Sequence, residues 1–159
     1  MTLEVRRLGP DDWRAFRDVR LAALKEAPYA FGSTYESEVG YAEASWRQRL
    51  AGWARFVAEV DGHVVGVVGA GSGEFSGTVA LTSLWVDPRF RGRGVGTALI
   101  GAVEDWAKSQ DLTQVVLWVT EANRSAERLY ERLGFKRTGR VSEVRPGEPA
   151  VEHEMSRRI

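Results

Sequence analysis

The chain has 159 residues, 43% hydrophobic and 28% charged, which is enough for one domain with a full core. Its 22 Lys and Arg balance its 22 Asp and Glu, so no bulk field recommends nucleic acid or a membrane surface as a partner. The absence of cysteine excludes disulfides, thiolate metal sites and a cysteine nucleophile, and His63 and His153 lie too far apart in sequence to suggest a metal site. No apolar run approaches the roughly 20 residues of a membrane span, and the N-terminus lacks a signal-peptide pattern. The expected compartment is the cytoplasm.

Leu3 and Val5 alternate with charged neighbours and predict a first strand. Gly9-Pro10-Asp11 opens a helix on which Trp13, Phe16, Val19 and Ala23 share a stripe, and Ala27-Pro28 closes it. Residues 28–40 show no period and read as a loop. Ala42, Trp46 and Leu50 predict a second helix. Phe56 to Val60, the turn pair Asp61-Gly62, and Val64 to Ala70 read as a hairpin; a flexible turn over 71–77 leads to a third strand from Thr78 to Val86. Together these form an antiparallel meander. Within the third strand the apolar positions are odd at Val79 and Leu81 but even at Leu84 and Val86. A bulge near Thr82-Ser83 would produce this slip, and so would burial on both faces.

Val95, Leu99, Val103 and Trp106 form the next helical stripe, and Val115 to Val119 a compact strand. Ala126, Leu129 and Leu133 line a helix ended by Gly134. Strands are expected from Phe135 and over Val151 to Met155, with an exposed loop over 139–150. The chain reads as a single domain over 1–159, with a mixed α/β sheet.

The run Leu84-Trp-Val-Asp-Pro-Arg-Phe-Arg91-Gly-Arg-Gly94-Val-Gly96-Thr97 is a strand, a glycine-rich turn and the start of a helix. It aims backbone N–H groups at a helix N-terminus beside positive charge, an arrangement suited to a phosphate or pyrophosphate. Two other phosphate-binding patterns fail. A dinucleotide fingerprint counted from Gly92 or Gly94 meets Thr97 or Leu99 where its third glycine belongs, and a P-loop lacks its lysine.

The spacing Arg91-x-x-Gly94-x-Gly96 resembles the acyl-CoA loop of the GCN5-related N-acetyltransferase (GNAT) family. Asn123-Arg-Ser-Ala126-Glu-Arg-Leu129-Tyr130-Glu-Arg-Leu133-Gly134-Phe135 resembles that family's later helix and following strand. The resemblance implies a largely antiparallel N-terminal meander with a splayed central strand pair, the pantetheine arm lying in the gap. It implies acetyl-CoA as co-substrate, without a metal. The diphosphate would meet Arg91, Gly92, Arg93, Gly94, Val95, Gly96 and Thr97, and the arm would meet the backbone of Leu84, Trp85 and Val86 together with Asn123 and Ala126. A backbone N–H near Leu84 to Val86 would stabilise the oxyanion.

Tyr130 aligns with the tyrosine that often protonates the departing thiolate in this family, and lies seven residues, about two helical turns, from Asn123. A buried core tyrosine is the alternative for it, and a helix cap the alternative for Asn123. Arg124 and Arg128 read as solvated helix charges. The strand Thr78–Val86 holds no acidic residue to serve as base. Asp87 precedes a proline and suits a turn. Glu36, Glu38 and Glu121 stay open, directly or through water, with Ser83 as a relay. On the acceptor side the resemblance points to the loop between the first helices, with Phe31, Ser33, Tyr35 and Glu36 as substrate contacts.

The function so implied is transfer of acetyl from acetyl-CoA to a primary amine of a small molecule, or to a protein N-terminus, by direct attack in a ternary complex. A non-catalytic CoA-binding sensor of the same fold is the alternative. Nucleic acid and membrane are not expected partners. A homodimer is compatible with the fold, though no residue specifies one.

Overall fold

The computed structural model describes residues 1–52 and 54–159. In chain order they form β1 (Leu3–Arg7), α1 (Trp13–Glu26), α2 (Tyr35–Glu38), α3 (Glu43–Gly52), β2 (Ala54–Val60), β3 (His63–Ser72), β4 (Thr78–Val86), α4 (Val95–Ser109), β5 (Gln114–Thr120), α5 (Arg124–Arg132), β6 (Lys136–Glu143) and β7 (Val151–Arg158). The strands make one seven-stranded sheet in the order β1-β2-β3-β4-β5-β7-β6. All neighbours are antiparallel except β4 and β5. No described helix is long and apolar enough to cross a membrane.

Two expected loops carry regular structure. Residues 28–40 contain a 3-10 turn and the short helix α2, which Thr34 caps by accepting from the Ser37 N–H at 3.2 Å. A one-turn helix is too short to show an apolar period, so only the cap could have signalled it. Residues 136–143 are a strand, although 139–150 read as a loop. Every residue of β6 is exposed, so alternation leaves no trace in its sequence. The Asp61-Gly62 hairpin is as expected, both residues having positive φ (49° and 84°).

The sheet divides the core in two. On one face α4 and α5 cover Val79, Leu81, Val115, Leu117 and Met155, with Leu99, Ile100 and Val103 reaching down from α4. On the other, Trp13, Phe16, Val19 and Leu24 of α1 and Trp46 of α3 cover Val57, Val67 and Trp85. Each such side chain contributes about 1.5–3 kcal/mol on burial.

The slip in β4 is a bulge. Val67 pairs with Trp85 and Gly69 with Thr82, so one residue of β3 faces two of β4, Ser83 and Leu84. Ser83 takes φ of 57°, a conformation that costs a residue with a side chain about 1–2 kcal/mol. Its hydroxyl is held by Arg20, whose Nη1 donates at 3.0 Å. At the bulge β4 leaves β5. The parallel pairing runs only from Thr78–Gln114 to Leu81–Leu117, so the inner edge of Thr82–Val86 has no described strand beside it.

Arg20 lies on the buried stripe of α1, where a sequence period alone predicts an apolar residue. Its guanidinium grips Glu38 of α2 by two bonds, at 3.0 and 2.9 Å, and Arg49 of α3 adds a third at 2.8 Å. Burial pushes the Glu38 carboxyl up, but Arg20, Ser33 and Arg49 outweigh it and hold the pKa at about 2, against 4.5 ordinarily. Because the folded value lies below the unfolded one, this stabilisation is complete above about pH 4.5 and is lost as pH falls toward 2. Glu38→Gln is expected to cost about 3–5 kcal/mol at neutral pH, by leaving guanidinium groups buried together without their carboxylate. Urea titrations across pH would show that loss at pH 7 and a smaller difference from wild type at pH 3.

Candidate active site

The parting of β4 and β5 opens a cleft of about 470 Å³, lined from one end by Gly92, Gly94, Val95, Gly96 and Thr97, along its length by Leu84, Trp85 and Val86, and opposite by Asn123, Ser125, Ala126, Arg128, Leu129 and Arg132. Ala27, Tyr29 and Ala30 close over it from the end of α1.

The glycine turn meets its helix as an anion site requires. Gly94 is the N-cap of α4, with φ of 83°, and carries no side chain to cap the helix. The first backbone bond into the helix runs from the Ala98 N–H to the Gly94 carbonyl at 3.0 Å, which leaves the N–H groups of Val95, Gly96 and Thr97 for a ligand. A Cβ on Gly96 would stand 2.8 Å from Leu129 Cδ2, so a larger residue here would make that side chain of α5 shift.

The charges are distributed differently from the expectation. Arg91 borders the cleft, but its Nη2 donates to Glu26 at 2.6 Å and its Nε to the Val86 carbonyl at 3.0 Å. Glu26 also accepts from the Trp85 indole at 3.0 Å, so this pair ties the end of α1 to β4 and the turn. Arg93 lies outside the cleft lining, 5.5 Å over the Phe90 ring. Arg128 and Arg132, read from sequence as ordinary helix charges or passed over, face the cleft from successive turns of α5. Their i, i+4 spacing was the available signal. Asn123 both lines the cleft and caps α5, accepting from the Ala126 N–H at 3.4 Å.

Tyr130 is in the core: it is 6% exposed, its ring centroid is 5.8 Å from that of Phe135, and it is not part of the cleft lining. Burial pushes its hydroxyl pKa well up, so it is protonated at neutral pH. No described residue bonds that hydroxyl.

Phe31, Ser33, Tyr35 and Glu36 are not brought to this cleft. Phe31 is buried among α1 and α3 residues beneath the Arg20 guanidinium, 5.1 Å from its ring centre. Ser33 bonds Ser37 at 3.2 Å, the Lys25 ammonium sits 5.7 Å over the Tyr35 ring, and Glu36 points to solvent. The segment turns its aromatics inward because α2 covers the exposed end of α1, and Tyr29 and Ala30 reach the cleft instead. The candidate bases are also displaced. Glu38 is locked by arginines, Asp87 caps the turn at Arg89, and Glu121 is 63% exposed, 3.4 Å from His153.

A sheet parted at a bulge, with helix N–H donors at one end of the gap, is an arrangement suited to a long ligand ending in a diphosphate. Residues 16–135 match the family model described as Acetyltransferase (GNAT) family, and the chain belongs to that family of enzymes. An uncharacterized N-acetyltransferase of Methanocaldococcus jannaschii is 31% identical over 147 residues, covering 85% of this chain and 61% of that one. An N-acetylaspartate synthetase of Danio rerio is 41% identical over 88 residues, or 55% of this chain; the chain spans only 31% of that relative's length. A GNAT-family acetyltransferase from Streptococcus pneumoniae superposes with a TM-score of 0.80 over 99% of this chain and 100% of that one, at 19% identity.

Proposed function

We propose that residues 1–159 act as one acetyl-CoA-dependent N-acetyltransferase domain that acetylates a primary amine of a small molecule, or a protein N-terminus, in a ternary complex. The observation that carries this reading is the continuity of the cleft: free N–H groups at the start of α4 run directly into the unpaired inner edge of Thr82–Val86. The first suits a diphosphate and the second the amides of a pantetheine arm. Arg128 and Arg132 supply charge along the opposite wall.

In this reading a backbone N–H of Leu84 to Val86 receives the thioester oxygen, whose negative charge grows as the amine attacks. The carbon–nitrogen bond forms, the carbon–sulfur bond breaks with its electron pair on sulfur, and Tyr130 donates a proton to the thiolate. Attack is direct, since the chain has no cysteine to carry an acyl group. Amino acids, aspartate among them, head the acceptors to be tried, after the N-acetylaspartate synthetases among the relatives.

The test is release of free CoA thiol from acetyl-CoA across a panel of amines, against a protein background of zero thiol. A strong acceptor is the expected result and would name the acceptor class. Silence across the panel with acetyl-CoA still binding in calorimetry would favour a CoA-binding domain without turnover; silence without binding would sink the reading.

A further inference from the structure

An acceptor amine reaches the protein as an ammonium with a pKa near 10 and must lose a proton before it can attack. Carboxylates around the parted strands are already engaged: Asp87 by Arg89, Glu121 by His153 at 3.4 Å, Glu26 by Arg91 and Trp85, Glu38 by Arg20 and Arg49, Glu154 by Arg140 at 3.0 Å and Thr138 at 2.7 Å. Glu152 is different. It opens β7 and lies directly opposite Thr120, the last residue of β5, in the antiparallel ladder. Paired residues share a face with their Cβ atoms about 4.5–5.5 Å apart. The Thr120 hydroxyl donates to the carbonyl of Tyr29 at 2.9 Å, and Tyr29 is part of the cleft wall. Glu152 therefore stands beside Thr120, outside the cleft lining, on the sheet face opposite α5, which is also the face that carries Arg20, the partner of Ser83.

Among the described residues that flank Glu152, none supplies a countercharge. On β5 it faces Thr120, on β6 Ser142, and along β7 Glu154, whose charge Arg140 already meets. From the β6–β7 loop, Arg145 is committed to Glu148 and to the carbonyls of Phe31 and Gly32. Half-burial without a partner raises the Glu152 pKa, which narrows the gap to an amine.

We infer that Glu152 is the carboxylate that receives the acceptor ammonium and takes its proton. This rests on the acetyl-transfer reading. The ammonium gives one proton to Glu152 and the neutral amine attacks the thioester carbon; as the intermediate collapses the carbon–sulfur bond breaks, Tyr130 protonates the departing sulfur, and the nitrogen's second proton passes through solvent to reprotonate Tyr130. Glu152 then returns its proton to solvent.

The experiment compares wild type, Glu152→Gln and Glu152→Asp with acetyl-CoA and two nucleophiles: n-butylamine, which arrives as an ammonium, and hydroxylamine, which is already neutral at pH 7.5. In Glu152→Gln we expect kcat/KM for n-butylamine to fall about 100-fold and the acidic limb of its pH profile to disappear. Hydroxylamine turnover and acetyl-CoA affinity should hold, and Glu152→Asp should recover part of the loss. Equal losses with both nucleophiles, or an unchanged pH profile, would overturn the assignment. No CoA release by wild type with either nucleophile or with any amine of the panel would overturn the acetyl-transfer reading itself, and Glu152 with it.

Discussion

Gly94→Asp is expected to lower acetyl-CoA affinity at least about 100-fold while leaving the fold intact. A Cβ at this position meets nothing within 4 Å, so the side chain has room. The φ of 83° strains any residue but glycine, by about 1–2 kcal/mol, and aspartate is among those that tolerate it best. The loss in binding comes from charge. A carboxylate at the N-cap sits where the α4 N–H groups point, and itself caps them. It also repels the incoming diphosphate, by about 4 kcal/mol per unit charge pair at 4 Å for an effective dielectric near 20. Even partial screening leaves a loss above the roughly 2.7 kcal/mol that a 100-fold change requires. Gly94→Asn separates charge from shape and should lose much less. Isothermal calorimetry with acetyl-CoA, beside thermal melts, reads both. Unchanged affinity in the aspartate variant would move the diphosphate away from α4.

Tyr130→Phe should reduce kcat about 100-fold with acetyl-CoA affinity unchanged. Two readings of Tyr130 compete, and they predict opposite things. As a core ring it packs on Phe135, and its hydroxyl bonds no described residue, so phenylalanine would fill the same space with little or no loss of stability or activity. As a proton donor its hydroxyl matters only once charge develops on sulfur. Burial keeps that proton in place in the free protein, because the phenolate would be poorly solvated there. The thiolate of a thiol with pKa near 8.5 is a weaker base than this phenolate, so the hydroxyl acts late, as the carbon–sulfur bond parts and leaves that thiolate beside it. Steady-state kinetics decide between the two: full activity in the phenylalanine variant would leave Tyr130 a core residue only.

The elements with strong local patterns were legible in the sequence. The α1 stripe from Trp13 to Ala23, the Asp61-Gly62 turn, the slip in β4 and the Gly94–Gly96 turn before α4 each rest on neighbours along the chain. The resemblance of the two motif blocks then pointed to the parted strand pair. Residues 35–38 and 139–143 read as loop because one turn of helix and a strand exposed along its whole length carry no apolar period, although the start of that strand at Phe135 was legible.

What the sequence by itself determined about this protein is therefore local: a strand that slips, a turn whose backbone favours glycine where a helix begins, and a helix that Asn123 caps. The tertiary structure decided which charges meet. Arg91 was drawn to Glu26 and Arg20 to Glu38 across 65 and 18 residues of chain, Tyr130 was turned into the core, and Glu152 was set beside Thr120 with no described cation against it. Pairing of charges and loss of water depend on distances through space, and those exist only once the sheet has brought distant segments together.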